Sequence, residues 1–462
     1  MRSRTLSVSA AATFLVLVAF TTPLATLVST SRSLGSGPGG QAWILSSMSV
    51  GLAVALLVTG AVGDDYGRRR MLVAGAAVLA VTSAIGALAP NTLVLVLARI
   101  GQGIGGAAVI SCGLGLIGHA FPAGPERARA TGVWGATVGA GIATGPLVMG
   151  WLDEAVSWRA GFWLLAAGSV ALVAAGRLLL EESRSQRPRR VDVAGATLLA
   201  GGLVALLAGL VEGRLHWGWQ AVALLAAAVV LVAGFVRWEG RVAAPMLDLA
   251  LFRRPAFVSS VAAAFATGAG VIGLMSFSPA FLQRALGYST LQAAALLFAW
   301  SGTSAVVALL ARRLPVAFSV RHRLVASLLV VAAGLALLTG LHTGVSVFAL
   351  LPGMLVAGVG SGVLNAALGQ IAVTSVPVGQ SGVGSGANNT ARYVGGAIGV
   401  TIVAMLAAQG SPAAIVSGWD TAAIVTAALS VAGALAVLAT GLRLRATAPA
   451  AELGATATPG TA

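Results

Sequence analysis

Residues 42–89 read AWILSSMSVGLAVALLVTGAVGDDYGRRRMLVAGAAVLAVTSAIGALA, two apolar runs joined by one short charged turn. Each run approaches the roughly 20 residues that a helix needs to cross a hydrocarbon core. The turn, Gly60-Ala61-Val62-Gly63-Asp64-Asp65-Tyr66-Gly67-Arg68-Arg69-Arg70, sets a carboxylate beside three guanidinium groups. Gly67 supplies backbone angles that other residues resist. On charge alone the segment is a basic loop that fixes topology. Working outward, apolar runs recur at 7–28, 42–62, 71–89, 92–119, 129–150, 160–180, 193–211, 219–236, 256–282, 289–311, 323–341, 344–366, 385–408 and 419–441. The expected fold class is an all-α polytopic membrane protein with fourteen transmembrane helices.

Composition agrees. The chain is 58% hydrophobic and 9% charged, where a soluble domain carries about 25% charged residues on its water-facing surface. Its 61 glycines suit helices that approach closely in lipid. A net charge of +15 invites a nucleic-acid reading, but all 28 basic residues are arginines in short clusters between apolar runs rather than along one stripe. No nucleic-acid partner is therefore expected; the expected partners are membrane lipid and a small amphipathic solute, bound by a monomer. The first run, from about Leu6 to Val28, outlasts the ~7–15 residues of a signal-peptide core, so it reads as an uncleaved first helix.

Arginine placement gives the orientation, because cytoplasmic loops collect positive charge. With the N-terminus inside, 22 arginines fall in cytoplasmic segments, four (Arg32, Arg159, Arg214, Arg284) outside, and two, Arg99 and Arg392, within spans. Both termini are thus expected on the cytoplasmic side of the cell membrane. Seven tryptophans (Trp43, Trp151, Trp158, Trp217, Trp219, Trp238, Trp419) fall near span ends, where an amphipathic ring prefers the headgroup zone. The long connections 181–192 and 237–255 bracket spans seven and eight, which divides the chain as six, two and six. The expected units are an N-terminal six-helix bundle at 1–180, a linker with two extra helices at 181–255, a C-terminal six-helix bundle at 256–445 and a disordered cytoplasmic tail at 446–462. Weakly similar halves suit alternating access about a central site.

Three motifs carry more. The turn, with Gly60, Asp64, Gly67 and Arg68 in place, resembles the loop 2–3 signature of the major facilitator superfamily. The run Leu95-Val96-Leu97-Ala98-Arg99-Ile100-Gly101-Gln102-Gly103 resembles that superfamily's fourth-helix signature. A charge inside a span costs about 2.5–3.5 kcal/mol on insertion scales, so Arg99 needs a reason or must snorkel. Gly132, Gly141, Gly145, Pro146 and Gly150 resemble the fifth-helix antiporter signature, with Met149 in place of one closing glycine; generic packing of small residues is the plainer account. The layout, with Trp158-Arg159-Ala160-Gly161-Phe162, Phe281–Ser289 and Ser385–Gly396, is similar to the fourteen-helix drug:proton antiporter group. The resemblance implies two pseudo-symmetric bundles, a turn that latches them on the cytoplasmic side, a coupling role for Arg99, Gln102 and Gly103, and export of a drug-like or antibiotic-like molecule. The implied driving force is the proton gradient, with no cofactor.

The resemblance further implies a cavity lined by spans one, four, nine and twelve, with Thr21, Thr22, Arg99, Gln102, Ser276, Phe277 and Asn365 available. No acidic residue lies mid-span, and none lies between Arg4 and Gly63, where the group commonly has an aspartate. The titratable candidates left are Asp64, Asp153 and Glu154. A cavity with a fixed cation and no buried carboxylate disfavours a strongly cationic solute, so the expected substrate is neutral or anionic. An enzyme is not expected: the chain shows no cluster of ligating residues and no lysine for a phosphate-binding loop. A membrane-embedded sensor is the alternative, although no soluble domain exists to carry its output.

Overall fold

A computed structural model describes residues 2–185, 192–215, 217–311, 319–407 and 411–446, and these are helical almost throughout. Fourteen expected spans appear as sixteen α-helices. The first half contains α1 (Arg2–Thr21), α2 (Pro23–Leu34), α3 (Pro38–Tyr66), α4 (Arg68–Ala87), α5 (Thr92–Ala120), α6 (Pro125–Ala155) and α7 (Trp158–Leu179). The middle pair is α8 (Val193–Leu215) and α9 (Trp219–Glu239). The second half contains α10 (Pro255–Thr267), α11 (Gly273–Arg284), α12 (Thr290–Leu310), α13 (Val320–Ala336), α14 (Val347–Thr374), α15 (Ser381–Ala407) and α16 (Pro412–Ala446). The tail expected to be disordered lies outside the described residues from 447 onward.

Two spans read as single helices are interrupted. Pro23 has no N–H to give the carbonyl four residues back, so span one divides into α1 and α2. Thr22 keeps helical angles (φ −46°, ψ −48°), and the span bends without reversing. Span nine divides at a π-helical turn, Gly268–Ile272, between α10 and α11. Among the described residues, and with Pro255–Arg284 counted as one, thirteen helices are long and apolar enough to cross a membrane. The remaining expected span, 323–341, is the 17-residue α13, at the short limit for crossing.

Helix ends follow local chemistry. Asn91 Oδ1 accepts from Val94 N at 3.0 Å to start α5, and Ser289 with Gln292 forms a capping box on α12, each satisfying N–H groups that a helix start leaves open. Gly67 adopts φ +130°, and an added Cβ there would sit 2.8 Å from the Glu182 carboxylate. The turn between α3 and α4 needs glycine on both counts.

Two large apolar clusters and two smaller ones form among the described residues; the large ones follow the halves. One gathers α1 and α3–α7, with Val16, Leu52 and Leu79 fully buried. The other gathers α10–α16, with Leu274, Leu328 and Val403 fully buried. Because lipid is as apolar as leucine, contact quality rather than water exclusion holds such helices together. Gly103 shows this: a Cβ there would lie 2.7 Å from Leu52 N. The two sets meet where α6 packs on α12 and α14, and where α3 and α5 pack on α15; α8 covers the seam between α3 and α15. Trp151, Trp217, Trp219 and Trp238 are exposed, whereas Trp158 and Trp419 are buried. Trp419 stacks on Phe281 at 4.1 Å and donates to Leu338 O, so its ring serves packing, not the headgroup zone.

Candidate functional site

The turn after α3 joins the two halves. Asp64 Oδ1 accepts from Arg68 Nε at 2.7 Å, and the pair is an ion pair at 2.6 Å, 1% and 2% exposed. The same carboxylate accepts from Gly382 N at 2.9 Å and Val383 N at 2.8 Å. These are N–H groups that the first turn of α15 cannot pair within its own helix, and the positive end of that helix favours an anion there. Arg68 also donates to Ser183 Oγ at 2.6 Å and Gly379 O at 2.7 Å. Gly60 makes the approach possible, since its Cβ would collide with Gly382 O. The three arginines of the turn are not equivalent. Arg69 donates to Gly176 O and Arg177 O, and Arg70 pairs with Glu182 at 3.6 Å, leaving Arg68 as the partner of Asp64.

Arg99 does not face a cavity. It is fully buried, and its donors go to Ile44 O (3.0 Å), Ala19 O (3.3 Å), Gln102 Oε1 (3.5 Å), Phe20 O (3.4 Å) and Met48 Sδ (3.9 Å). A guanidinium has five N–H groups, and all five have acceptors. Ala19 O is the carbonyl that Pro23 leaves without its helical donor. Arg99 therefore replaces, from α5, a hydrogen bond lost at the bend of span one. Gln102 turns away to Ser83 Oγ at 2.9 Å, and Gly103 lets α3 and α5 touch.

The glycines of α6 serve two faces. Cβ atoms at Gly141 and Gly145 would strike α1, at Leu17 Cβ (2.7 Å) and Thr21 Oγ1 respectively, while Gly150 leaves an ordinary 3.4 Å to Ala25 Cβ. Gly135 and Gly139, outside the sequence motif, face the other half, where a Cβ would lie 2.9 Å from Ala366 N and 2.8 Å from Ala305 N. Gly132 lines a separate space at the arginine-rich end with Arg129, Arg323 and Gln370. Pro146, inside α6, takes the helical donor from the Ile142 carbonyl. Replacing Gly145 with valine is expected to destabilise the purified protein by about 1–3 kcal/mol through overpacking. Gly150→Ala should leave its melting temperature nearly unchanged; equal melting of the two variants in detergent would remove the distinction.

A second cavity, about 350 Å³ against about 490 Å³ for the space beside Gly132, opens toward the end bearing Pro38, Leu215 and Arg284. Phe20, Leu24, Ile272, Ser276 and Tyr393 also line a smaller, deeper space of about 30 Å³ that includes Thr21 and Arg392. Of the residues read from sequence, Ser276 and Phe277 line the open cavity and Thr21 the deep one. Thr22 is buried and donates to Val18 O at 2.9 Å. Asn365 lies apart, donating to Ser304 Oγ at 3.4 Å. The sequence reading missed Arg214, which belongs to α8 rather than to an outer loop. It donates to Thr401 Oγ1 (2.9 Å), Ser46 Oγ (3.0 Å) and Ala397 O (3.4 Å) across the seam. Its position within a turn of the span's end was the available signal. Among the described residues no group of three His, Cys, Asp or Glu side chains is placed to hold a metal.

Known proteins place this geometry in context. Residues 9–400 match the family profile described as Major Facilitator Superfamily. The chain is 32% identical over 376 residues to the multidrug resistance protein Stp of Mycobacterium tuberculosis, covering 80% of this chain and 70% of that protein. It is 34% identical over 423 residues to the puromycin resistance protein pur8 of Streptomyces alboniger, covering 88% and 84%. The solved structure of the human organic anion transporter MFSD10 (TETRAN) superposes with a TM-score of 0.71 at 17% identity, over 94% of this chain and 99% of that one. At that identity the likeness is one of fold.

Proposed function

The chain belongs to the major facilitator superfamily, and on that premise we propose that it exports small amphipathic molecules of the drug or antibiotic kind by alternating access, driven by the proton gradient. The observation that carries the reading is a cavity between the halves that opens at one end, with the Asp64–Arg68–α15 latch engaged between the halves at the other. Rocking the halves would break the latch, open the arginine-rich end and close the present mouth. The 22-to-4 split of arginines supports a cytoplasmic arginine-rich end, with both termini inside the cell membrane. In this state the cavity faces outward, as it must to release an exported solute. The relatives named for drug and antibiotic resistance support the substrate class.

The reading takes the protein to be a monomeric carrier of six, two and six helices that needs no cofactor. Protons would enter through the acids that remain. Asp153 accepts from Ser29 Oγ at 2.5 Å near the open end, and Asp64 holds the latch. Cells carrying the protein should accumulate less of at least one member of an antibiotic panel, puromycin included, than cells lacking it. A protonophore should erase that difference. Export that survives the protonophore refutes proton coupling, and equal accumulation across the panel refutes export.

A further inference from the structure

Arg392 is the one charged side chain lining the deep cavity, and it is 7% exposed. Its burial resembles that of Arg68 and Arg99, but its bonding does not. Those two spend their donors on carbonyls, hydroxyls and a carboxylate, whereas the Arg392 guanidinium has no hydrogen bond or ion pair with any described residue. Burying a charge without a partner is costly, and buried charges are ordinarily paired. No aspartate or glutamate lines either cavity, so the chain offers no counter-charge there.

The backbone around Arg392 is fixed. A Cβ at Gly268 would collide with Arg392 O, and one at Gly395 with Phe265 O, so α15 lies directly on the π-turn of span nine. Tyr393 beside it meets Phe20 edge-on, with ring centroids 5.5 Å apart, and both rings line the deep space and the wider cavity above it. Arg214 stands in the wall of that wider cavity. The arrangement is amphipathic in its own right, a small cationic floor under a larger, mostly apolar chamber whose wall also carries Arg214 and Arg284.

The geometry points to an anion-binding subsite at Arg392, which takes the carboxylate, sulfonate or phenolate head of an amphipathic organic anion. The apolar body lies above it, against Phe20, Leu27, Leu45 and Phe277. A guanidinium suits this task because two parallel N–H groups meet two oxygens of a planar head. The transport consequence rests on the export reading; the binding consequence does not.

Matched fluorescent probes with one apolar body test it: 1-pyrenebutyrate (anion), its methyl ester (neutral) and 1-pyrenebutylamine (cation), each titrated against the full-length protein in detergent. The anion is expected to bind at least tenfold more tightly than the amine, about 1.4 kcal/mol. Arg392→Gln should abolish that preference while ester affinity stays within about twofold, and Arg392→Lys should keep part of it. Amine binding equal to or tighter than anion binding in the unaltered protein overturns the inference, whether or not the variants fold. So does an unchanged preference in a folded Arg392→Gln protein. Anion-selective binding with no movement of any probe in vesicles would sink the export reading and leave the subsite standing. Movement of all three probes at equal rates, with equal affinities, would do the reverse.

Discussion

Asp64→Asn is expected to lower export roughly a hundredfold. The carboxylate accepts from Arg68 and from two N–H groups of α15, which arrive at its two oxygens. Asparagine keeps one oxygen and turns an NH₂ group toward donors on the other side. It also removes the counter-charge from a guanidinium that is 2% exposed. Breaking one side of a buried pair costs about 3–5 kcal/mol. Asp64 and Arg68 share one turn and can stay paired when the halves part, so the cost that falls on the closed arginine-rich end alone is that of the two charge-assisted bonds from Gly382 N and Val383 N, about 1.5–3 kcal/mol each. A shift of about 3 kcal/mol in one state against the other changes their ratio on the order of a hundredfold, and the outward-open state becomes rare. Ser381, buried beside the latch with its hydroxyl on Gly115 O at 3.1 Å, reports the change. In a Cys112→Ser background, Ser381→Cys should resist a hydrophilic maleimide in the parent and react readily in the Asp64→Asn protein. Equal reactivity, together with export within twofold of the parent, would show that the latch does not set the equilibrium.

Transfer chemistry made much of this legible from sequence. Apolar length located a helix at each expected span, thirteen of them long and apolar enough to cross a membrane, because a helix in lipid has to satisfy its backbone internally, and the turn at Gly67 was readable because few residues tolerate its angles. What hydropathy does not contain is which face of a helix meets which neighbour. Asp64 and Gly382 are both conspicuous in the sequence, yet nothing local pairs residues more than three hundred positions apart. Arg99 was conspicuous as a charge within a span, but its acceptors are carbonyls of α1 and α3, which every residue carries and no sequence marks. For the same reason Arg99 was taken for the cavity's cation, a place held by Arg392 in the deep space and by Arg214 and Arg284 in the wider one. Arg214 was set outside the membrane because a span's end was drawn three or four residues early. Asn365 and Thr22 were chosen as polar residues on the implied helices, and polarity alone cannot say whether a side chain points at the cavity or, like Thr22, back to its own helix. Trp158 and Trp419 were placed near span ends and yet are buried, because each packs against an aromatic ring of a helix, Phe162 and Phe281 respectively.

Replacing Arg99 with methionine is expected to abolish most transport, at least tenfold, and to destabilise the protein by about 2–4 kcal/mol. Methionine matches the length and removes five donors, leaving the carbonyls of Ala19, Phe20 and Ile44 to other partners. Leu24, four residues beyond Phe20, has an N–H to offer, and Ile44 lies within an intact helical turn of α3 and can fall back on its own i+4 donor. Ala19 cannot, because its donor would be Pro23, and an unpaired carbonyl away from water costs about 1–3 kcal/mol. The bend at Pro23 and the charge at Arg99 are therefore one device, built from two spans. That makes a double-mutant cycle decisive. Pro23→Ala restores an N–H under Ala19 O, so Arg99→Met should cost at least ~1 kcal/mol less in the Pro23→Ala background than in the parent, measured by thermal unfolding in detergent. Arg99→Lys should rescue poorly, since three donors on one ammonium cannot fork to acceptors on two helices. Strict additivity of Arg99→Met and Pro23→Ala would separate the two residues, and full activity of Arg99→Lys would mean that position 99 needs a charge and not a fork. Transport should follow stability only in part. Pro23 and Leu24 line the cavity that opens beside Arg284, so straightening span one reshapes the wall against which a solute would lie even where the fold is repaired.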